Sequence, residues 1–440
     1  MRFIPHTPED KEAMLQRIGV HFFEELIQSI PESSRLKTPL GLPKRLSELE
    51  TRDLISELGQ KNERYICFAG GGAYDHFIPS VVDSILARPE FYTAYTPYQA
   101  EVSQGTLQTI YEYQSMICEL TGMQVSNASM YDGGSALAEA AHMARTITKR
   151  DEVVVSNLIN PWYERVLETY CRGLGLTIHT VSSQGGRTDL EELQRMATES
   201  TACVIAQHPN FLGCLEERET ISGISHERGA LFVVCVDPIS LGLLKPPGEY
   251  GADIVVGEGQ CLGLPMSLGG PFLGVFATRQ EYIRSLPGRL VAATQDSSGR
   301  RGFVLTMQTR EQHIRRERAT SNICTNQALC ALAACVYLAL LGKEGIREVA
   351  ELCLQKSHYL AERLCELDGW RLPFAAPFFK EFCIQPSLAP EELVNRLRKK
   401  GILAGIPLGT YRKDWEKYLL VSVTEKRKKA EMDDFVDAVR

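Results

Sequence analysis

The strongest constraint on the fold is a regular alternation, between Arg64 and Thr325, of short β-branched apolar runs and longer stretches with helical periodicity. Runs that are apolar at nearly every position are typical of strands covered on both faces. The alternation therefore predicts an α/β domain with a mostly parallel sheet between helices. The predicted strands are Glu152–Val155, Thr177–Val181, Ala202–Ala206, Leu231–Val236, Ile254–Val256 and Phe272–Phe276. The predicted helices between them are Ala136–Arg145, Tyr163–Leu174, Leu190–Glu199 and Ile221–Arg228.

The rest of the chain differs from this central pattern. Glu12–Gln28 carries apolar residues at helical spacing, which predicts a helical arm at the N-terminus. Phe272–Phe276 follows the preceding strand through a glycine-rich loop rather than a helix, so it can run antiparallel. Amphipathic helices and weak strands near the C-terminus predict a smaller α+β domain. The predicted divisions are 1–63, 64–325 and 326–440.

Composition excludes several functional classes. The 440 residues carry 48 Lys+Arg and 55 Asp+Glu, a net charge of −7. Phosphate binding leaves a basic footprint, so no nucleic-acid partner is expected. The longest uncharged apolar run, Ala328–Gly342, is shorter than a membrane span and predicts a buried core helix, so no membrane contact is expected.

The N-terminal residues show no apolar signal segment, and a cytoplasmic location is expected. The thirteen cysteines are an odd number and lack the spacing of metal ligands. Free thiols, without disulfides and without a bound metal, are the prediction.

Gly133, Gly134 and Ser135 precede a predicted helix. Glycines let backbone N–H groups approach an anion, and the helix dipole favours negative charge at this end. The tripeptide is therefore a candidate phosphate cup, and the alternative interpretation is an ordinary glycine-containing helix cap.

Two polar residues follow predicted parallel strands, where ligand sites of α/β proteins lie. Asp237 ends the run Leu231–Val236, and in pyridoxal phosphate enzymes such an aspartate pairs with the pyridinium nitrogen. A turn aspartate before Pro238 is the equally weighted alternative. His208 follows another strand, and a hydrogen-bonded loop histidine is the simpler interpretation of it.

Four long motifs resemble the glycine decarboxylase family, the P protein of the glycine cleavage system. These are TPYQAEVSQGTLQTIYEYQSMICELTGM (Thr96–Met123), FAGGGAYDHFIP (Phe68–Pro79), GEGQCLGLPMSLGGPFLG (Gly257–Gly274) and GRRGFVLTMQTREQHIRRERATSNICTNQAL (Gly299–Leu329). They cover much of the chain in the family's order. The family has two homologous halves, as one chain or as two subunits, and the resemblance is to the N-terminal half.

The resemblance implies the pyridoxal phosphate-dependent transferase fold type I, the aspartate-aminotransferase type, with a large domain and a small C-terminal domain. Active members carry a Schiff-base lysine some twenty to thirty residues after the pyridinium aspartate. Here Gln260 stands at or next to that position, and no lysine occurs from Pro246 to Gly342. An amide cannot form an imine. No covalently bound pyridoxal phosphate is therefore expected on this chain, and Gly133, Gly134, Ser135, His208 and Asp237 become vestigial cofactor-site positions.

The resemblance further implies a catalytic role only beside a lysine-bearing subunit 2, in a heterodimer or heterotetramer. That partner would carry the pyridoxal phosphate, decarboxylate glycine and pass the aminomethyl group to the lipoyl arm of the H protein. Candidate contributors to the partner's active site are Tyr95, Tyr98, Gln99, Glu101, Ser103, Ser321, Asn322 and Thr325. Because the family's H protein is generally acidic, Arg300 and Arg301 are candidate docking residues; the alternative is that they pair with carboxylates of this chain or of subunit 2.

Two other functional classes stay open on the residues alone. One is a stand-alone class V aminotransferase or cysteine desulfurase, which the absent lysine disfavours. The other is a non-enzymatic regulatory or scaffold protein on a decayed pyridoxal phosphate fold.

Overall fold

The computed structural model describes residues 5–38 and 40–440, and it divides into two compact units between Glu63 and Arg64. The described residues of the first unit form three α-helices and a short 3₁₀ helix at Glu32–Ser34, none of which has a buried residue. The α-helices are α1 (Pro8–Ile18), α2 (Phe23–Leu26) and α3 (Glu48–Gln60). The helical spacing over Glu12–Gln28 is divided between two helices, because Gly19 adopts a left-handed φ of +88° and ends α1. Residues 1–4 and Pro39 of the predicted arm lie outside the described residues.

The second unit holds all the strands of the described residues. They are β1 (Ile66–Cys67), β2 (Val125–Ser126), β3 (Glu152–Ser156), β4 (Thr177–Val181), β5 (Ser183–Gln184), β6 (Arg187–Thr188), β7 (Thr201–His208), β8 (Leu231–Val236), β9 (Ile254–Glu258), β10 (Gly274–Thr278), β11 (Leu290–Gln295), β12 (Arg301–Thr306), β13 (Glu381–Ile384), β14 (Ile402–Leu403), β15 (Ile406–Pro407) and β16 (Leu419–Ser422). Its helices are α4 (Ser80–Leu86), α5 (Pro89–Tyr92), α6 (Gln104–Thr121), α7 (Gly133–Thr148), α8 (Pro161–Leu174), α9 (Leu190–Met196), α10 (Arg218–Glu227), α11 (Gln312–Arg315), α12 (Ala328–Cys365), α13 (Pro390–Arg398) and α14 (Lys429–Val439).

A seven-stranded sheet in the order β2-β10-β9-β8-β7-β3-β4 forms the centre of the large domain. The strands from β9 to β4 run parallel, which confirms the predicted mostly parallel sheet. The last predicted strand, β10, enters antiparallel and pairs with both β9 and β2. The loop that joins it to β9, residues 259–273, contains no helix, whereas parallel strands are usually joined by a crossover helix.

Helices cover both faces of this sheet, and each strand therefore buries residues in two cores. In β8, Phe232 and Val234 pack into the core that contains residues of α6 and α12. Val233 and Cys235 point the other way, into the core that contains residues of α7 and α8. This double burial is the reason that the strands are apolar at nearly every position.

α12 is the one helix of the described residues that is long and apolar enough to span a membrane, and much of its apolar stretch is buried inside the protein. Cys330, Ala334 and Tyr337 lie in the core beside α6, as the prediction of a core helix requires. At Gly342 the backbone leaves the helical region with φ of +59°, so two helical segments meet there.

The small C-terminal domain has a three-stranded antiparallel sheet in the order β13-β16-β15, with α13 and α14 packed nearby. β1 pairs in parallel with β14 of this domain. The residues after β1 then run between the two domains, and Lys380 stands directly before β13. These connections place small-domain residues against the carboxyl edge of the large sheet.

Candidate active site

A cleft lies at the carboxyl ends of β7, β8 and β9, at the edge where α/β proteins bind ligands. It contains a cavity of about 30 Å³, which has room for a few water molecules only. The side chains that line it include Tyr74, Asn160, Tyr163, Gln207, Asp237, Glu258, Phe379, Lys380 and Glu381.

Asp237 is paired with a buried lysine from the small domain. The Nζ atom of Lys380 lies 2.8 Å from Asp237 Oδ2, 3.5 Å from the centre of the Tyr74 ring and 3.1 Å from His76 Nε2. Burial lowers the pKa of Lys380, but the attraction of Asp237 outweighs it and the pKa lies above the usual lysine value. Lys380 is therefore a permanent ammonium that neutralises the aspartate.

His76 and Glu425 continue this network. His76 Nδ1 lies 2.6 Å from Glu425 Oε2. Burial and the neighbouring Lys380 lower the pKa of His76, which makes it a neutral imidazole. Cys353 lies close enough for the three side chains to surround a metal ion. The ammonium of Lys380 contacts the other ring nitrogen of His76, Nε2. Its positive charge disfavours a metal cation between His76, Cys353 and Glu425.

Glu381 holds the loop that follows β1. Its two carboxylate oxygens accept hydrogen bonds from Gly71 N and from the Tyr74 hydroxyl, each at 2.7 Å. Burial raises the pKa of Glu381 to about 7, while these donors oppose the shift.

The carboxyl group of Glu258, the last residue of β9, lies at the N-terminus of α7. Its carboxyl oxygens accept hydrogen bonds from Gly133 N at 2.9 Å, Gln260 N at 3.0 Å and Leu273 N at 2.9 Å. Burial raises the pKa of Glu258 to about 8, and the backbone donors oppose this shift. The predicted phosphate cup thus already binds a carboxyl group of the same chain.

A second donor of the cup, Ser135 N, is also used. Asp132 caps α7 by accepting from Ser135 N at 2.7 Å, and the Ser135 hydroxyl bonds back to Asp132. Gly133 lies against Tyr163, since a Cβ atom on this glycine would stand 2.8 Å from the tyrosine hydroxyl. Glycine is thus required here by close packing within the chain.

Gln260 uses its whole side-chain amide in structural hydrogen bonds. Its Oε1 accepts from Tyr74 N at 2.8 Å, and its Nε2 donates to Tyr74 O at 3.1 Å and to Leu264 O at 2.7 Å. Gln260, which the family resemblance puts at or next to the Schiff-base position, therefore joins the large domain to the loop after β1.

His208 lies at the end of β7 but does not line the cavity. Its Nδ1 accepts from Glu216 N at 3.1 Å, and its ring packs edge-on against Tyr250. Burial lowers the pKa of His208 to about 3, so the ring is neutral.

Pyridoxal phosphate, the cofactor that the resemblance implies, does not fit this cleft. Glu258 takes the N–H of Gly133 that a phosphate would need, and Lys380 takes the carboxylate of Asp237 that a pyridinium would need. The cavity of about 30 Å³ is too small for a substituted ring. No lysine stands where Gln260 does.

Sequence reasoning missed Lys380, Glu381, Glu258 and Tyr74. Glu258 and Tyr74 lie inside motifs that carry the family resemblance, but nothing in those motifs indicates a role. Lys380 is 143 positions from Asp237 in the chain (380 − 237), and no spacing rule connects them.

The loop that carries the predicted contributors from Tyr95 to Ser103 contacts the buried Arg289. Arg289 donates to the Thr96 hydroxyl at 3.1 Å and the Tyr98 hydroxyl at 3.0 Å. Glu311 lies 3.6 Å from the same guanidinium. The predicted residues Tyr95, Gln99, Glu101, Asn322 and Thr325 are exposed, Ser103 is half-buried, and Ser321 is buried.

Arg300 and Arg301 lie on the β11–β12 hairpin. The exposed Arg300 pairs with Asp296 at 2.8 Å. Arg301 lies over the rings of Tyr111 and Phe303, with centroid distances of 5.7 and 5.2 Å. The structure thus supports pairing of Arg300 within the chain and leaves its charge at the surface.

Three comparisons with known proteins agree. A family model described as "Glycine cleavage system P-protein" matches residues 1–439. A protein from Desulforamulus reducens named "Probable glycine dehydrogenase (decarboxylating) subunit 1" is 52% identical over 436 residues, 98% of each chain. A protein of the same name from Chlorobium limicola is 54% identical over 443 residues, covering 100% of this chain and 99% of the relative.

Solved structures give the same result. A crystal structure of glycine decarboxylase (P-protein) of the glycine cleavage system, in inhibitor-bound form, matches with a TM-score of 0.92 and 44% identity over 100% of this chain and 99% of that one. Lactobacillus brevis glutamate decarboxylase matches with a TM-score of 0.67 at 15% identity, covering 93% and 95% of the two chains, which shows the fold alone. The fold is the pyridoxal phosphate-dependent transferase fold type I. The chain therefore belongs to the glycine cleavage system P-protein family.

Proposed function

We propose that this chain is the lysine-free subunit of a heteromeric glycine decarboxylase of the glycine cleavage system. The observation that carries the proposal is Gln260, whose amide is committed to Tyr74 and Leu264 in a cleft that has no place for the cofactor. A lysine-bearing subunit would hold the pyridoxal phosphate, which supplies the electron sink for decarboxylation. The aminomethyl group would then pass to a lipoylated H protein.

An exposed aromatic surface supports a partner subunit. Tyr92, Tyr95 and Val102, which are near one another in the chain, are 68%, 80% and 79% exposed. Exposed apolar side chains that form a patch mark interaction sites. Arg289 fixes Tyr98, which lies between Tyr95 and Val102 in the chain, through a hydrogen bond to its hydroxyl and a cation–π contact with its ring. We assign this loop to the contact with the lysine-bearing subunit, in a heterodimer or heterotetramer.

The other two functional classes are less favoured. A stand-alone aminotransferase or desulfurase needs a Schiff-base lysine, which Gln260 does not supply. A free regulatory protein would not need the exposed loop at Tyr95. The thirteen unpaired cysteines support a cytoplasmic location for the complex.

Exchange of glycine carboxylate with bicarbonate tests this function. Neither subunit alone is expected to catalyse the exchange, because this chain has no cofactor site and the partner lacks its contact surface. The mixture should exceed either chain by about a hundredfold or more, roughly 2.7 kcal/mol of barrier. A reaction without H protein is the control. Equal activity of the partner alone and of the mixture would contradict the proposal.

The H-protein contact gives a second expected result. If the β11–β12 hairpin binds the acidic H protein, replacing Arg300 and Arg301 by alanine should raise the KM for H protein about tenfold at low salt and leave the KM for glycine unchanged. Complementary charge is screened by ions, so the wild-type KM should rise with ionic strength.

The matched control is Arg347→Ala, which removes an exposed arginine with the same i,i+4 ion pair, here to Glu351 on α12. This variant should keep the wild-type KM and its dependence on salt. A wild-type salt dependence in the double variant would show that the hairpin is not the docking surface.

A further inference from the structure

The closed cleft has two polar ends, and a side chain of this protein stands at each. At the N-terminus of α7, where this fold offers backbone donors to a phosphate, the carboxyl of Glu258 accepts from Gly133 N. At the end of β8, where an aspartate would meet a pyridinium, the ammonium of Lys380 meets Asp237.

We infer that Glu258 and Lys380 are internal substitutes for the phosphate and the pyridinium of the cofactor. Glu258 pairs backbone donors within the large domain, and Lys380 holds the small domain on the large domain. The inference deepens the proposed function and rests on it, because it explains how a subunit without a cofactor keeps the closed form of this fold.

Glu258 satisfies one donor, Gly133 N, that an empty cup would leave unpaired. The first N–H groups of a helix have no partner within the helix, and leaving them buried is unfavourable. Glu258 lies on β9 and is buried, and its side chain also bonds to Leu273 N beside the strand. Its carboxyl therefore ties α7, β9 and the start of β10 together at one point.

Lys380 supplies the positive partner that the buried carboxylate of Asp237 needs. A carboxylate in this buried position needs a positive partner, since an unpaired buried charge is strongly destabilising. The lysine side chain is 2% exposed and bonds only to groups of the network: Asp237, the Tyr74 ring and His76. Every polar contact of its ammonium is thus made inside the protein.

The network joins the two domains through residues 70–77, which we call the seam segment. The small domain binds it through Glu381 at Gly71 and through Glu425 at Phe77 N, the latter at 2.6 Å. The large domain binds it through Gln260, and Asn160 donates to Gly71 O at 2.8 Å. Lys380, from the small domain, adds a direct ion pair to Asp237 of the large domain.

Chemical rescue tests the role of Lys380. In Lys380→Ala, purified in complex with the lysine-bearing subunit, amide hydrogens of the seam segment should exchange at least about tenfold faster, as measured by mass spectrometry of peptides from this chain. Propylammonium supplies the three missing methylene groups and the ammonium, and it should restore most of the protection. 1-Propanol, which has the same chain without the charge, should not.

The control variant is Lys400→Ala, which removes a partly buried lysine that donates to Ala438 O at 3.1 Å, away from the cleft. It should leave the seam segment protected and respond to neither compound. Equal rescue of Lys380→Ala by propanol, or unchanged protection in that variant, would overturn the inference.

Glu258 is tested in the same way at the other end. In Glu258→Ala, peptides that begin at the N-terminus of α7 should lose protection, and acetate or inorganic phosphate should restore it where acetamide does not. Rescue by phosphate would show that the cup still accepts the group that Glu258 replaces. Rescue by acetamide to the same extent would overturn the assignment.

Cofactor content separates this inference from the proposed function. Borohydride reduction of the wild-type complex should label a lysine of the partner and none of this chain. A pyridoxyl label on Lys380 would overturn the inference. The rescue experiments need no catalysis, so their failure would leave the exchange assay of the pair standing, and the reverse also holds.

Discussion

Asp237→Asn is expected to lower the free energy of unfolding by about 3 to 5 kcal/mol, because it leaves the ammonium of Lys380 buried without a counter-charge. Asparagine keeps the shape of the side chain and the oxygen that accepts from Ile239 N at 3.1 Å, so the local turn is retained. The loss is therefore assigned to the charge. Urea denaturation of the complex, with circular dichroism as the readout, measures it.

Two further variants make this measurement specific. Asp237→Asn combined with Lys380→Met removes both charges, and the double variant should be more stable than the sum of the two single losses predicts, by about 2 kcal/mol. Asp151→Asn is the matched control, since Asp151 forms an exposed pair with Arg145 at 2.7 Å. It should lose less than about 1 kcal/mol. Strict additivity would show that Asp237 and Lys380 do not act as a pair.

Gly213→Ala is expected to destabilise the protein by about 3 kcal/mol or more. Gly213 adopts a left-handed φ of +84°, and a Cβ atom there would overlap the Glu381 carbonyl oxygen and stand 2.5 Å from its carbon. Backbone strain of about 1 to 2 kcal/mol adds to the steric overlap. The overlap lies between a large-domain loop and β13, so the change should push the two domains apart.

Gly175→Ala separates these two effects. Gly175 has a similar left-handed φ of +70°, but no atom lies within 4 Å of the position of its Cβ. Only the backbone strain applies, and the expected loss is about 1 kcal/mol. Thermal denaturation of both variants measures the difference. Equal losses would show that the approach of the Gly213 loop to β13 is not tight.

Much of the fold could be predicted from local sequence. β8 is apolar at every position because Val233 and Val234 enter different cores, and that pattern is visible without coordinates. That β10 can enter antiparallel was also visible in its glycine-rich connection to β9, which contains no helix. The arm was less predictable, because the single residue Gly19 ends a helix whose apolar spacing continues past it.

By itself, the sequence determined the family, and it predicts that the Schiff-base lysine is missing from this chain. The long motifs identify the family. Gln260 indicates the missing lysine, because imine formation depends on the residue at a single position. It did not determine what fills the cleft. Lys380 and Asp237 are far apart in the chain, and β13 of another domain brings the lysine to the aspartate.

Only the tertiary structure decided that the phosphate cup is closed. Gly133, Gly134 and Ser135 have the composition of an anion site, and local sequence cannot show whether the anion is a ligand or a side chain. The packing of β9 against α7 places the carboxyl of Glu258 on the N–H of Gly133. Buried donors must be paired within a folded protein, and here the pairing partner is chosen by long-range contacts that local patterns do not encode.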